Sequence, residues 1–530
     1  MAGTQADQLR DKTYDMSTGI LTAGNGNEEN VESRMVAQKL VYDFPRMFAV
    51  TKMRQYLSQQ AQNEKYTVKT AGGSIVVYMA SAEWAVNPRN TYLTFTVKGL
   101  APEYTYVAGD QQNGYAGVFT GPGGIYNMFA SVRALSASGQ ELGSTRNIVY
   151  CTKPMDEYSH PPEWFDSAEA GMEGYCNTSP LYALATPTTP AEYTKRMVNQ
   201  QGICISGNDP TRQGVQFSVP LSKLVRAFDV SQLLPPYLVS GMRIELQLQS
   251  PDKAFIHCDG KNGGAYLAAS LAAGYEVSDV RVVADTYSLD APVLGSIQKL
   301  ATEAGLEILF NDVDIIQNQL SSATTTASIN VRKAVGRCNL AYTTIQSMEQ
   351  VTGGTVSAQL PGASAAPWNV SFYQWKNSGM YMPPSGVRTT LGINGVVAEG
   401  DTEVFSSGYQ STEAIWHALR CFGSNRTLPY GCAVNASNWG PVPVIGKIID
   451  PISVQPNALI RSPNYGTSMC AVNLQRSDEL EHSGLPLSMA RQLSLDIQFF
   501  KAYGTGAMLT TVIFYSKALK IWLDRINIRE

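Results

Sequence analysis

Residues 491–500 read RQLSLDIQFF. Leu493, Leu495, Ile497 and Phe499 alternate with Ser494, Asp496 and Gln498. A period of two places the apolar side chains on one face and the polar ones on the other, which is the pattern of a half-buried β-strand. A helix would instead need apolar residues three and four apart. The same alternation recurs in TYLTFTVKG (91–99), where Leu93, Phe95 and Val97 share a face, and in RIELQLQS (243–250), where Ile244, Leu246 and Leu248 do. YEVSDVRVVADTYSL (275–289), LEILFND (306–312), SINVRKA (328–334) and TTVIFYSKALKIWL (510–523) are further β runs. The chain therefore reads as mainly β.

Between these runs lie long Gly, Pro, Ser and Asn segments at 108–124, 176–190, 351–368, 384–408 and 424–466. Loops of that length usually serve function or assembly. Helical patterns are few: ENVESRMVAQKL (29–40), SKLVRAFDVSQLL (222–234), APVLGSIQKLATEAG (291–305, ending at Gly305) and STEAIWHALRCF (411–422). The segment 291–305 lies near mid-chain, with a β-rich block on each side. This layout divides the chain into an N-terminal arm (1–60), a first β domain (61–292) and a second (293–530).

Composition narrows the function classes. The 530 residues carry 45 Gly and 27 Pro, only 16% are charged, and the net charge is −4. Nothing in that balance supplies the excess of Lys and Arg that nucleic-acid binding needs, and the first 60 residues are themselves neutral. No apolar run is long enough for a membrane-spanning helix, and the start MAGTQADQLRDK lacks the apolar core of a secretory signal. The eight cysteines are scattered with no CxxC pair, as expected for buried reduced thiols.

The candidates for chemistry are weak. SDELEHSGLP (477–486) holds Glu479 and His482 three apart, and DEYSHPP (156–162) holds Glu157 and His160 at the same spacing. A di-metal carboxylate site puts such pairs on helices. Gly484 and Pro486 follow His482, and Pro161 and Pro162 follow His160, so neither helix extends past its histidine. Both segments read as solvated turns. His257 beside Cys258 has no second ligand at metal spacing, and His417 flanks an apolar helical stripe. No nucleophile elbow or phosphate-binding loop motif occurs. Asp312 with Asp314, and Glu163 with Asp166, are the carboxylate pairs to check for glycoside cleavage. The seven tryptophans are dispersed and read mostly as core or interface residues. We expect no catalytic, cofactor-binding or metal-binding residues.

Several segments, in chain order, resemble the double jelly-roll major capsid proteins of icosahedral DNA viruses, in particular those of polinton-like viruses and virophages. They are VPLSKLVRAFDVSQLLPPYLVSGMRIELQL (219–248), YEVSDVRVVADTYSLD (275–290), VSFYQWKNSGMYMPPSGV (370–387), CAVNLQRSDELEHSGLPLSMARQLSLDIQFF (470–500) and KALKIWLDRINIRE (517–530). The resemblance implies two tandem antiparallel jelly-roll barrels with a few short helices and long loops. It implies a non-enzymatic structural protein of the virion, assembled in the host cell. Such a protein would form pseudo-hexameric homotrimers that tile a shell, with penton and minor capsid proteins and an internal membrane as further partners, and no cofactor. SDELEHSG would then be a turn between strands. The contrasting expectation from the β pattern and tryptophans is a β-sandwich carbohydrate-binding or glycoside-cleaving protein.

Overall fold

The computed structural model describes residues 13–15, 20–22, 50–57, 61, 63–69, 72–79, 84–100, 116–120, 123–161, 164–165, 167–175, 203, 205, 214–230, 232–259, 271–324, 326–331, 333–347, 384–393, 402–403, 421–422, 470–475, 482–487, 491–499, 506–522 and 526–529. Sixteen principal strands fall into two sets of eight. The first set comprises β1 (Val50–Leu57), β2 (Ser74–Met79), β3 (Ala85–Gly99), β4 (Phe129–Leu135), β5 (Glu141–Arg146), β6 (Val215–Pro220), β7 (Met242–Leu248) and β8 (Tyr275–Leu289). The second comprises β9 (Leu306–Leu320), β10 (Thr326–Val331), β11 (Val335–Ser347), β12 (Pro384–Ile393), β13 (Thr402–Glu403), β14 (Cys470–Asn473), β15 (Arg491–Phe499) and β16 (Ala507–Ile521).

Strand order carries the architecture. The first set forms one sheet in the order β1-β8-β3-β6 and another in the order β2-β7-β4-β5. The second set repeats this as β9-β16-β11-β14 and β10-β15-β12-β13. Each lobe thus pairs its first strand with its last and its second with its last but one, always antiparallel. That nesting, in two sheets each built on four principal strands, with short extra strands Lys65–Val68, Leu485–Leu487 and Ile526–Arg529 added alongside, is the jelly roll. Two of them lie in tandem.

The expected strand faces are the buried ones. Leu93, Phe95 and Val97 of β3, Ile244, Leu246 and Leu248 of β7, and Leu493, Leu495 and Ile497 of β15 are all 0–1% exposed. In β3 and β7, the residues between them alternate outward, so one face of each sheet builds a core. Residues Val50–Leu57, assigned to the arm from sequence, pair with β8 in the first lobe. The mid-chain helix is present as α4 (Ala291–Glu303), and Gly305 at φ +78° closes it, its N–H donating to the Leu300 carbonyl.

The helix expected over 222–234 does not form. The chain makes one turn, α3 (Leu221–Leu224), then Val225 turns extended at φ −129°, and a single 3₁₀ turn follows at Arg226–Phe228. Leu221, Leu224, Val225, Ala227, Phe228 and Leu234 are all buried. An amphipathic helix buries only one stripe, whereas this segment buries five residues in a row, Leu224–Phe228, and tertiary burial overrides its helical periodicity. Most of the expected helix at 411–422, all of the one at 29–40, and most of the resemblance segment 370–387 lie outside the described residues.

Candidate functional site at the seam between the lobes

Strands β9 and β16 pair along their whole length, with Leu306 opposite Ile521, Ile308 opposite Leu519 and Phe310 opposite Lys517. At this end Leu306, Ile308, Phe310, Leu519 and Ile521 belong to the core of the first lobe. Further along, Val313, Val512 and Ile513 belong to the core of the second. The ribbon that frames the second lobe therefore begins inside the first.

A helix crosses in the other direction. The chain leaves β5 into α1 (Val149–Ser159), which includes Pro154. Its Val149, Tyr150, Cys151 and Tyr158 pack in the second core, although α1 is part of the first half of the chain. The Tyr342 hydroxyl of β11 donates to the Tyr150 carbonyl at 2.6 Å, and the Tyr158 ring stacks on Phe422 at 5.4 Å. The Arg226 guanidinium reaches over the Phe514 ring at 5.4 Å and also contacts the Met155 sulfur. Each lobe thus supplies residues to the other's core.

The polar side of α1 closes on the first lobe. Lys223 of α3 places its Nζ 2.9 Å from Asp156 Oδ1 and 2.6 Å from Glu173 Oε2. Glu173 follows α2 (Ala168–Met172), and Ser167 caps that helix by accepting from the Ala170 N–H. The Tyr175 hydroxyl donates to Asp156 Oδ2 at 2.9 Å, and the Tyr126 hydroxyl donates to Glu173 Oε2 at 2.8 Å. The ammonium lies 5.1 Å from the Trp164 ring centre and 5.9 Å from that of Tyr126. Asp156 and Glu173 are 2% and 1% exposed. Burial pushes the Glu173 carboxyl up to about 7, against the pull of Lys223. Burial alone would lower the Lys223 ammonium, but Asp156 and Glu173 together hold it above its ordinary value. A second buried pair, Lys517 with Asp312 at 2.8 Å, sits on the β9–β16 ribbon, with the Tyr515 hydroxyl donating to Asp312.

DEYS is the last turn of α1, and its Asp156, Glu157 and Tyr158 are buried, so the solvated-turn reading fails there. Glu157 pairs with Lys153 at 2.8 Å on the same helix, and its carboxyl is raised by burial. Polar composition resembled a surface turn because its partners, Lys223 and Tyr175, come from distant segments. His160 does end the helix, in an extended conformation, with its ring stacked on Trp164 at 4.1 Å. His482 accepts from or donates to Ser516 Oγ at 3.0 Å, while Asn339 Oδ1 accepts from the Gly484 N–H at 3.1 Å, pinning this turn to β11 and β16. Glu479, His417, Glu163 and Asp166 lie outside the described residues. His257 and Cys258 lie on a short strand, Phe255–Asp259, paired with Ala116–Thr120. Asp312 and Asp314 are both engaged by lysines, Lys517 and Lys333. Among the described residues no group of three or more His, Cys, Asp or Glu side chains is placed to hold a metal ion, and no helix is long and apolar enough to cross a membrane. The Asp156–Lys223–Glu173 cluster escaped the sequence reading, because nothing in the spacing of 156, 173 and 223 signals proximity.

No protein-family model matches the sequence, and no curated protein is significantly similar to it. Solved structures are. A chain from the Sputnik virophage superposes with a TM-score of 0.52 at 9% identity, covering 91% of this chain and 88% of that one. The mavirus major capsid protein matches at 11% identity over 89% of each chain, with a TM-score of 0.43. The Faustovirus major capsid protein matches at 8% identity over 89% of this chain and 91% of that one, with a TM-score of 0.46. The nested strand order of both lobes, together with the Sputnik superposition, identifies the chain as a double jelly-roll protein.

Proposed function

We propose that the chain is the major structural subunit of an icosahedral viral shell. The observation that carries this reading is the repeated strand order of two lobes held by mutual core insertion. A subunit with two alike lobes presents six when three copies surround a threefold axis. Six similar lobes fill a hexagonal tile, and such tiles cover a closed surface with few distinct contacts. The seam ties the two lobes of each subunit together through their cores, which keeps them in one fixed arrangement for tiling. The low charge content limits repulsion between many packed copies.

In this reading the chain divides into lobes near residues 292–293, and the N-terminal segment contacts a neighbour, a minor capsid protein or an internal lipid layer. Penton proteins close the vertices. The protein acts by self-association, without catalysis or sequence-specific nucleic-acid binding. Light scattering of the purified chain tests the first step. The expected particle is a trimer, about three times the 57.5 kDa of one chain. A monomer at all concentrations, with hydrolytic activity on a glycan, would instead support the carbohydrate-directed alternative.

A further inference from the structure

We propose that Lys223 and Asp156 form an intramolecular isopeptide bond, with Glu173 relaying the proton and Tyr175 polarising the carboxyl. The Nζ of Lys223 lies 2.9 Å from Asp156 Oδ1, in direct contact with the carboxyl that would acylate it. Glu173 Oε2 lies 2.6 Å from the same Nζ, placed to take a proton from it. The second Glu173 oxygen, Oε1, is buried and has no hydrogen-bond partner among the described residues, which leaves it able to carry that proton onward. Asp156 Oδ2 accepts from the Tyr175 hydroxyl at 2.9 Å, where negative charge develops during attack. The Tyr126 and Trp164 rings flank the ammonium and limit bulk water.

The step balances without a co-reactant. One proton of the ammonium passes to Asp156 Oδ1, and the freed Nζ lone pair attacks Cγ of the resulting carboxylic acid, the adduct nitrogen then giving a second proton to Glu173. The C–N bond forms, and the Cγ–Oδ1 bond breaks. Oδ1 leaves as water with two protons from the former ammonium, one of them through Glu173. Oδ2 remains as the amide carbonyl on Tyr175. Glu173 ends as it began, and the opposite charges of Lys223 and Asp156 are lost together. A carboxyl held near neutrality both accepts and returns a proton readily. The two carboxylates also keep most of the amine protonated, so the bond forms slowly after folding.

The bond would join α1, whose Val149, Tyr150, Cys151 and Tyr158 lie in the second core, to α3, whose Leu221 and Leu224 lie in the first. It is therefore a covalent clasp across the seam. Intact-mass measurement of the folded full-length chain tests it. The expected mass is that of the sequence less one water, with a branched proteolytic fragment joining the segments around Asp156 and Lys223. Glu173→Gln, shown folded by circular dichroism, should retain the full sequence mass, as should Lys223→Arg. A folded wild-type chain that keeps the sequence mass on prolonged incubation overturns the proposal. So does a water loss with no branched fragment, or a Glu173→Gln chain that cross-links as fully as wild type. If Glu173→Gln fails to fold, the wild-type mass and fragment map after refolding decide alone.

Discussion

Phe310→Ala tests the seam most sharply, because its effect should appear in the lobe to which Phe310 does not belong by strand order. Phe310 is on β9, the first strand of the second jelly roll, and is 1% exposed. It packs with Ile308, Leu519 and Ile521 inside the first core, where β9 runs against β5 and the Arg226–Phe228 turn. Truncating a fully buried phenylalanine removes its transfer free energy and leaves a cavity that the surroundings fill only partly, costing about 3–5 kcal/mol. At about 1.4 kcal/mol per factor of ten, the opening equilibrium of the affected unit shifts a hundredfold or more. Hydrogen exchange followed by mass spectrometry reads this by segment. Amides of β3 and β7 in the first lobe should exchange faster by that factor, in step with β9. Phe310→Leu, which conserves most of the volume, should cost under about 1.5 kcal/mol. If the first-lobe amides keep their protection in Phe310→Ala while only second-lobe strands loosen, the shared core is wrong.

Other consequences follow from single residues. A Cβ at Gly484 would meet the Cys338 carbonyl oxygen at 2.2 Å and Asn339 Oδ1 at 2.5 Å; Gly484→Ala should thus cost about 1–3 kcal/mol in denaturant unfolding, and a neutral result would contradict the pinned turn. Burial lifts the Glu157 carboxyl above its ordinary value, with Lys153 opposing in part. The stability this group contributes is full below the ordinary carboxylate range and is lost as pH rises through the lifted value, so Glu157→Gln should flatten that part of the stability–pH curve. An unchanged slope would show that Glu157 is solvated. Burial pushes the Cys151 and Cys338 thiols up to about 12, so both should resist alkylation in the folded protein and react on denaturation. Rapid labelling of either in the native state would place it outside the core.

The strands were readable because each sheet buries one face, and the period of two survives in the residues themselves, as in Leu493, Leu495 and Ile497. The β9–β16 ribbon was readable as strand, but not as a bridge. Most described residues of β16 are buried on both faces, Lys517 included, and double burial erases the alternation that reports which neighbour lies where. The segment 222–234 misled because its apolar spacing fits a helix, while the fold buries the consecutive residues Leu224–Phe228 in a core instead. The clasp cluster was invisible for a different reason. Asp156, Glu173 and Lys223 are brought together by the path of α1 between lobes, a long-range consequence of topology that local spacing does not encode.

Electron cryomicroscopy of particles assembled from the purified or co-expressed chain measures the central claim directly. The account predicts closed shells tiled by hexagon-shaped trimers, each showing six barrel densities around a threefold axis. A protein that stays monomeric under all assembly conditions, or that forms trimers whose lobes project as separate flexible bodies, would contradict it.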